Sequence, residues 1–261
     1  MRALWLATAY IKHSLKSVRL HGIHSPFVFQ LYNQVICHTG TYYAFGAIEK
    51  LRRKLAVNRR QITITDLGAG SQVNNSSKKS ISQITRVAAK PPHLAQLLFR
   101  LVNFQQSATV LEIGTSFGLT TAYLAAANQQ ARVITLEGCP ATAQIAQGNF
   151  KQLKLKNISL ITGNFEETLP ALLSTTDQLD FVFFDGNHQY EPTLRYFEWC
   201  LAKRTAESIF VLDDIYWSKE MTRAWRAICA RPEVMISIDL FYFGLVFFRD
   251  KQPKQHFTIK L

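Results

Sequence analysis

The residues of this 261-residue chain best suited to chemistry stand where short apolar runs stop. Val110, Leu111 and Ile113 flank Glu112 and run into Gly114-Thr115-Ser116-Phe117-Gly118. Ile134-Thr135-Leu136 runs into Glu137-Gly138, and Ile158 to Thr162 into Gly163-Asn164-Phe165. Phe181 to Phe184 precede Asp185-Gly186-Asn187-His188, and Phe210-Val211-Leu212 precede Asp213-Asp214. In open α/β sheets ligands bind outside the carboxyl ends of the strands, so a polar residue closing each apolar run is the pattern expected of a site rim.

The glycines and acids narrow the ligand. Gly114 and Gly118 allow a tight turn and a close backbone approach, and Thr120 to Ala127 continue as a helix whose first N–H groups face that turn. The fuller G-x-G-x-x-G of a dinucleotide site is missing. Glu112 would repel a diphosphate and suits a cation, such as the amino group of a methionine moiety. S-adenosylmethionine therefore fits better than NAD. Glu137, ending the next strand, is placed to accept ribose hydroxyls, or else is a solvated loop acid. Asn164 and Phe165 stand where an adenine would lie, the amide or backbone reading its edge and the ring packing on its face; Phe165 could equally be a core residue opening a helix. The expected cofactor contacts are Glu112, Gly114, Thr115, Ser116, Gly118, Glu137, Gly138, Asn164, Phe165 and Asp185.

Asp185 and His188 are the expected catalytic pair, because an imidazole with an ordinary pKa of about 6.5 suits a general base near neutral pH. Asp185, Asp213 and Asp214 would repel one another unless a cation sat among them, and hard oxygen ligands favour Mg²⁺ or another divalent cation such as Ca²⁺. Such an ion could lower the pKa of a substrate hydroxyl. The structural alternative stays open: Asp185 orienting a loop, Asp213 capping a helix, His188 bonding a carbonyl.

These residues need a scaffold, and from residue 108 onward strand and helix patterns alternate, which argues for a mainly parallel α/β sheet. Strands are predicted at 108–113, 131–137, 158–162, 179–184 and 208–213, and helices at 118–127, 140–154, 165–173, 191–203 and 218–230. The runs 234–240 and 243–249 read as an antiparallel hairpin closing the sheet edge. Upstream, a basic amphipathic helix is expected to about Leu20, a helix start at Ser25-Pro26, and a basic helix over 45–57. Ile62 and Ile64 alternate with threonines. Asp66 to Ser71 superficially copies a second cofactor loop, but Gln72 to Ser80 is polar and reads as a mobile basic loop that could cover the site. The resulting division is a basic, mainly helical extension or lid over residues 1–90 and a catalytic domain over 91–261.

Charge is unevenly spread. The net charge is +12, yet residues 1–100 carry 15 Lys and Arg against only Glu49 and Asp66, so the basic character belongs to that segment. An anionic partner is one reading, whether nucleic acid or a lipid surface touched by Trp5, Leu6, Tyr10 and Ile11; a solvated face is the other. No run is long and apolar enough to span a bilayer, and Arg2, Lys12, His13 and Lys16 precede no signal-cleavage pattern, so a cytoplasmic location is expected. Cys37, Cys139, Cys200 and Cys229 are scattered, as suits reduced thiols.

The segments 111–118, 134–137, 163–170, 184–190 and 211–217, in this order and spacing, resemble the class I S-adenosylmethionine-dependent methyltransferases. The closest branch is the O-methyltransferase group of the catechol and caffeoyl-CoA enzymes, in its bacterial Asp-Gly-x-His form. The resemblance implies a Rossmann-like seven-stranded sheet ordered 3-2-1-4-5-7-6, a methionine end at 111–118, a ribose acid at Glu137 and a metal ligand at Asp185. Where that branch usually has an Asp-Asn pair, this chain has Asp213-Asp214; where it often has a lysine base, this chain has His188. The function implied is methyl transfer from S-adenosylmethionine to a hydroxyl of a small or carrier-bound acceptor. RNA methylation using the basic segment and a non-catalytic methyltransferase-like binding module are the alternatives. Oligomeric state is not legible, and a homodimer is compatible.

Overall fold

A computed structural model describes residues 2–18, 22–65 and 76–261. The chain forms two compact units, one made of Thr39–Thr176 and the other of Met1–His38 with Asp177–Leu261.

In the Thr39–Thr176 unit, β1 (Gln61–Thr65) pairs antiparallel with β2 (Ser76–Ser80). The mobile loop expected at Gln72 to Ser80 is thus corrected over its last five residues, which are strand; Asp66 to Ser71 and Gln72 to Asn75 lie outside the described residues. Ser-Ser-Lys-Lys-Ser has little strand propensity of its own, and pairing with the Ile-Thr alternation of β1 decides its conformation. Helices α3 (Phe45–Ala56), α4 (Ile81–Ala88) and α5 (Pro92–Gln105) surround this hairpin in sequence. Ser80 begins α4 with a reciprocal capping box to Gln83.

The parallel strands of this unit are β3 (Thr109–Ile113), β4 (Arg132–Glu137) and β5 (Ile158–Thr162), with β4 between the other two. Their register sets Ile113 opposite Leu136 and Glu137 opposite Thr162, so the three carboxyl ends are level. Between them run α6 (Leu119–Ala127) and α7 (Pro140–Gln152), followed by α8 (Phe165–Ser174). Residues 119–126 of α6 are buried all round, which its Leu-Thr-Thr-Ala-Tyr-Leu-Ala-Ala composition of mostly small side chains permits. The core packs Phe45, Phe99 and Tyr123 edge-on or tilted, with ring centroids 5.0 to 5.3 Å apart.

In the other unit, β6 (Leu179–Phe184) lies parallel to β7 (Arg204–Asp213), β7 pairs antiparallel with β9 (Phe243–Phe247), and β9 with β8 (Ile236–Asp239). The sequence reading missed β10 (Gln255–Thr258), which runs parallel beside β8. The predicted terminal hairpin therefore does not close the sheet edge. Gln-His-Phe-Thr is too short and polar to announce a strand, and its backbone pairing with β8 makes it one. Helices α9 (Tyr190–Leu201) and α10 (Lys219–Ala230) complete the alternation. Phe181, Phe183, Phe197, Phe210, Phe243 and Phe247 are fully buried.

Helices from the first 38 residues belong to this unit. α1 (Arg2–Lys16) ends four residues short of Leu20, and α2 (Pro26–Leu31) starts as expected, with Ser25 accepting from the Val28 N–H. α1 is fastened by His13, whose buried Nε2 lies 3.1 Å from Asp239 Oδ1. The Tyr216 hydroxyl donates to Asp239 Oδ2 at 2.7 Å and the Phe241 N–H to Oδ1 at 2.9 Å. Burial alone would raise the Asp239 pKa, but the bonds from His13, Tyr216 and Phe241 outweigh it and hold the carboxyl below the usual range. Its stabilising contribution is accordingly present above the ordinary aspartate pKa and is lost as pH falls through the depressed value. His13→Ala should lower unfolding free energy by about 3 kcal/mol in urea titration, because it removes one partner of a buried pair. An unchanged midpoint would show that α1 is not held by this contact.

Candidate functional site

The ends of β3, β4 and β5 each pass directly into a turn that presents backbone groups. After β3 the chain turns through Gly114 (φ 107°), Ser116 (φ 50°) and Gly118 (φ 74°). A Cβ at Gly118 would overlap the Phe150 ring of α7, so glycine is required there by both backbone angle and space. The Gly114 and Thr115 N–H groups donate to the Leu136 carbonyl, at 3.0 and 3.1 Å, tying this loop to β4.

Glu137 closes β4 half-buried. Its Oε2 accepts from the Ser116 N–H at 2.7 Å and its Oε1 from the Cys139 N–H at 2.9 Å. Burial raises its pKa, offset in part by bonds from the Cys139, Ser116 and Gly138 N–H groups. After β5, Gly163 (φ 152°) donates to the Glu137 carbonyl at 3.0 Å. Asn164 then caps α8, its side chain accepting from the Glu166 N–H, and half-buried Phe165 is the first helical residue. Gly114, Thr115, Ser116, Gly118, Glu137, Gly138, Asn164 and Phe165 all lie on turns at the carboxyl ends of adjacent strands.

Glu112 differs from the sequence expectation in its surroundings. It is fully buried; Oε2 accepts from the Thr121 hydroxyl and, at 2.6 Å, from the Thr135 hydroxyl, while Oε1 has no hydrogen-bond partner among the described residues. Thr115 joins the set, its hydroxyl 2.6 Å from that of Thr135. Burial pushes the Glu112 pKa up to about 8, against the lowering effect of the two hydroxyls. A carboxyl in that state is mostly protonated near pH 7, a neutral group supporting the loop through Thr135 and Thr115 instead of an anion facing a cationic ligand. Thr121 and Thr135 were missed by sequence reasoning. Thr135 carried a signal: it is a lone hydroxyl inside an apolar strand, directly opposite Glu112 in the register.

In the unit containing residues 177–261, Asp185 follows β6 and Asp213 ends β7. Asp185, His188 and buried Asp213 each offer a ligand atom, and these lie within 4.8 Å of one another. His188 Nε2 is 3.7 Å from Asp185 Oδ1, and its ring centroid is 6.2 Å from that of Trp217. The left-handed turn at Asn187 (φ 57°) reverses the chain between Asp185 and His188, and the Asn187 amide donates to the Tyr196 hydroxyl at 3.2 Å. Asp214, expected as a third carboxylate, is outside this group. It takes a left-handed conformation (φ 52°) and its N–H donates to the Tyr242 carbonyl at 2.8 Å, so the chain leaves the strand there. His188 takes the place that sequence reasoning gave to Asp214. Trp217 was also not foreseen.

The alternation of strands and helices, with turns and acids at the strand ends, is an α/β fold shared with solved methyltransferases. Residues 111–215 match the family described as a methyltransferase domain. Catechol O-methyltransferase of Mycobacterium tuberculosis is 31% identical over 136 residues, covering 49% of this chain and 60% of that enzyme. The chain thus matches less than two thirds of the length of its curated relatives. Among solved structures, the fold is shared with the O-methyltransferase from Bacillus cereus in complex with SAH (TM-score 0.58, 18% identity, 83% of this chain and 94% of that one). It is also shared with the SAH-bound methyltransferase PaMTH1 of Podospora anserina (TM-score 0.61, 13% identity, 90% and 99%). Residues 111–215 thus match a methyltransferase-domain family, on a fold shared with solved O-methyltransferases.

The buried acid gives a pH test. Glu112 holds in the folded state a proton that the unfolded chain releases near pH 4.5, so its contribution to stability is greatest below that value and declines as pH rises to about 8. Glu112→Gln keeps an acceptor for both threonines and removes the titration. Its stability relative to the parent should rise by roughly 2 kcal/mol or more between about pH 5 and about pH 9 in denaturant titrations. A difference independent of pH would contradict a raised Glu112 pKa.

Proposed function

We propose that this chain is an enzyme transferring the methyl group of S-adenosylmethionine to a hydroxyl of a small or carrier-bound acceptor. The observation carrying this reading is Glu137, a half-buried carboxylate held by three backbone N–H groups at a strand end, beside a glycine turn that itself donates to β4. A carboxylate fixed in this way retains lone-pair capacity for the vicinal hydroxyls of a ribose, and its neighbours are backbone groups without bulk. The residues present therefore fit the cofactor: Glu137 for the ribose, Asn164 and Phe165 for the base, and the Gly114–Gly118 turn for the methionine end. Bound S-adenosylmethionine supplies an electrophilic methyl on a sulfonium, which needs an oriented nucleophile and little other assistance.

The chain's own part is at the acceptor. His188 takes the proton of the acceptor hydroxyl, and Asp185, with Oδ1 3.7 Å from Nε2, orients the ring. A second reading is supported by the grouping of Asp185, His188 and Asp213 within 4.8 Å: two carboxylates and an imidazole are a donor set that a divalent cation accepts. Such an ion, when bound, would lower the pKa of a coordinated hydroxyl, with His188 as ligand and not as base. The division into a basic segment over 1–90 and a transferase domain over 91–261 belongs to the same proposal. So does a cytoplasmic setting, which the four free cysteines favour.

Labelled methyl transfer tests the reading, with catechol as the first acceptor and a small-molecule cell extract as the second. Transfer to either is expected, and Glu137→Ala should weaken cofactor binding by at least about tenfold in calorimetry. No transfer to any acceptor, with cofactor affinity unchanged in the variant, would overturn it. Activity abolished by EDTA and restored by Mg²⁺ selects the cation reading; activity indifferent to EDTA but lost in His188→Ala selects the base.

A further inference from the structure

The first helix shows two opposed faces. One is spent on the fold: His13 is buried on Asp239, and Tyr10 meets the Phe241 ring edge-on at 5.0 Å. The other carries Leu4, Thr8, Ile11 and Leu15, whose four-three-four spacing makes a single stripe along the helix. Leu4 is 75% exposed, Ile11 58% and Leu15 81%. The one polar member, Thr8, turns its hydroxyl back to the Leu4 carbonyl at 2.8 Å, so the stripe presents no unsatisfied donor. Trp5, expected from sequence at such a surface, is only half-exposed, while Leu4 and Leu15, not expected, are its most exposed members.

The charge on this helix is of one sign. Arg2, Lys12 and Lys16 lie in α1 and the chain has no acidic residue before Glu49. A second copy packing stripe to stripe would bring two wholly basic helices together. An anionic surface would gain from the same charges while the leucines enter its apolar layer.

We propose that α1, clamped to the fold through His13 and Asp239, docks the protein on an anionic lipid surface through Leu4, Ile11 and Leu15, with Lys12 and Lys16 as electrostatic contacts. This stands independently of the methyl-transfer reading.

Co-sedimentation with vesicles of phosphatidylcholine alone, and of phosphatidylcholine mixed with phosphatidylglycerol, tests it on the full chain. The protein should pellet with the mixed vesicles at least about tenfold more than with the neutral ones, and salt should reduce the difference. A Leu4→Ser/Ile11→Ser/Leu15→Ser variant should lose binding about tenfold or more with an unchanged unfolding midpoint, since all three side chains are exposed. Lys12→Gln/Lys16→Gln should weaken binding to the mixed vesicles alone. The proposal fails if the parent stays in the supernatant with both vesicles, or if the triple-serine variant binds as well as the parent. It also fails if ultracentrifugation finds a dimer that the triple-serine variant dissociates while neither protein binds lipid, which would make the stripe a seam between copies.

Discussion

The arrangement at the end of β3 depends on one buried carboxyl. Glu112 faces Thr135 across the parallel register, receives the Thr121 hydroxyl from α6, and through Thr135 reaches Thr115 in the glycine turn. Three elements thereby share one hydrogen-bonded group in an apolar setting, where satisfied polar contacts are strong and unsatisfied ones costly. The positive-φ residues Gly114, Ser116 and Gly118 are held between this group and the Leu136 carbonyl. Pre-set geometry of this kind lets the turn meet a ligand without first paying to order itself.

The same logic runs through Glu137. The Ser116 N–H that bonds it belongs to the turn Glu112 supports, and the Cys139 N–H belongs to the next helix entry. A carboxylate restrained from two sides at a strand end has a defined direction, which is what recognition of a vicinal diol requires. In the other unit, Asp185, His188 and Asp213 repeat the theme at the ends of β6 and β7, with the left-handed turn at Asn187 bringing the imidazole back toward the carboxylates.

Much of this was legible because the physics is local. Apolar runs of five or six residues ending in Gly, Glu or Asp marked β3 to β7, and Ser25-Pro26 marked the start of α2. What was not legible depends on partners distant in sequence. Ser76–Ser80 and Gln255–Thr258 are strands because β1 and β8 offer them free edges. The state of Glu112 depends on burial and on residues 9 and 23 positions away, so an acid read as suited to a cationic ligand is a buried carboxyl with a raised pKa. Asp213-Asp214 looked like a pair of ligands, but successive residues leaving a strand part company, and it is His188 that stands with Asp185 and Asp213. The exposed stripe on α1 was hidden in the same way: the sequence pattern marks an amphipathic helix, and only the anchoring of His13 tells which side faces out.

The proposed function requires the strand-end turns of the Thr39–Thr176 unit to hold a sulfonium nucleoside by way of Glu137. A crystal structure with S-adenosylhomocysteine bound tests it most directly. The ribose hydroxyls are expected on the Glu137 carboxylate, the base beside Asn164 and Phe165, and the amino-acid end against the Gly114–Gly118 turn. A ligand seated elsewhere, with Glu137 bonded to the Ser116 and Cys139 N–H groups alone, would contradict it.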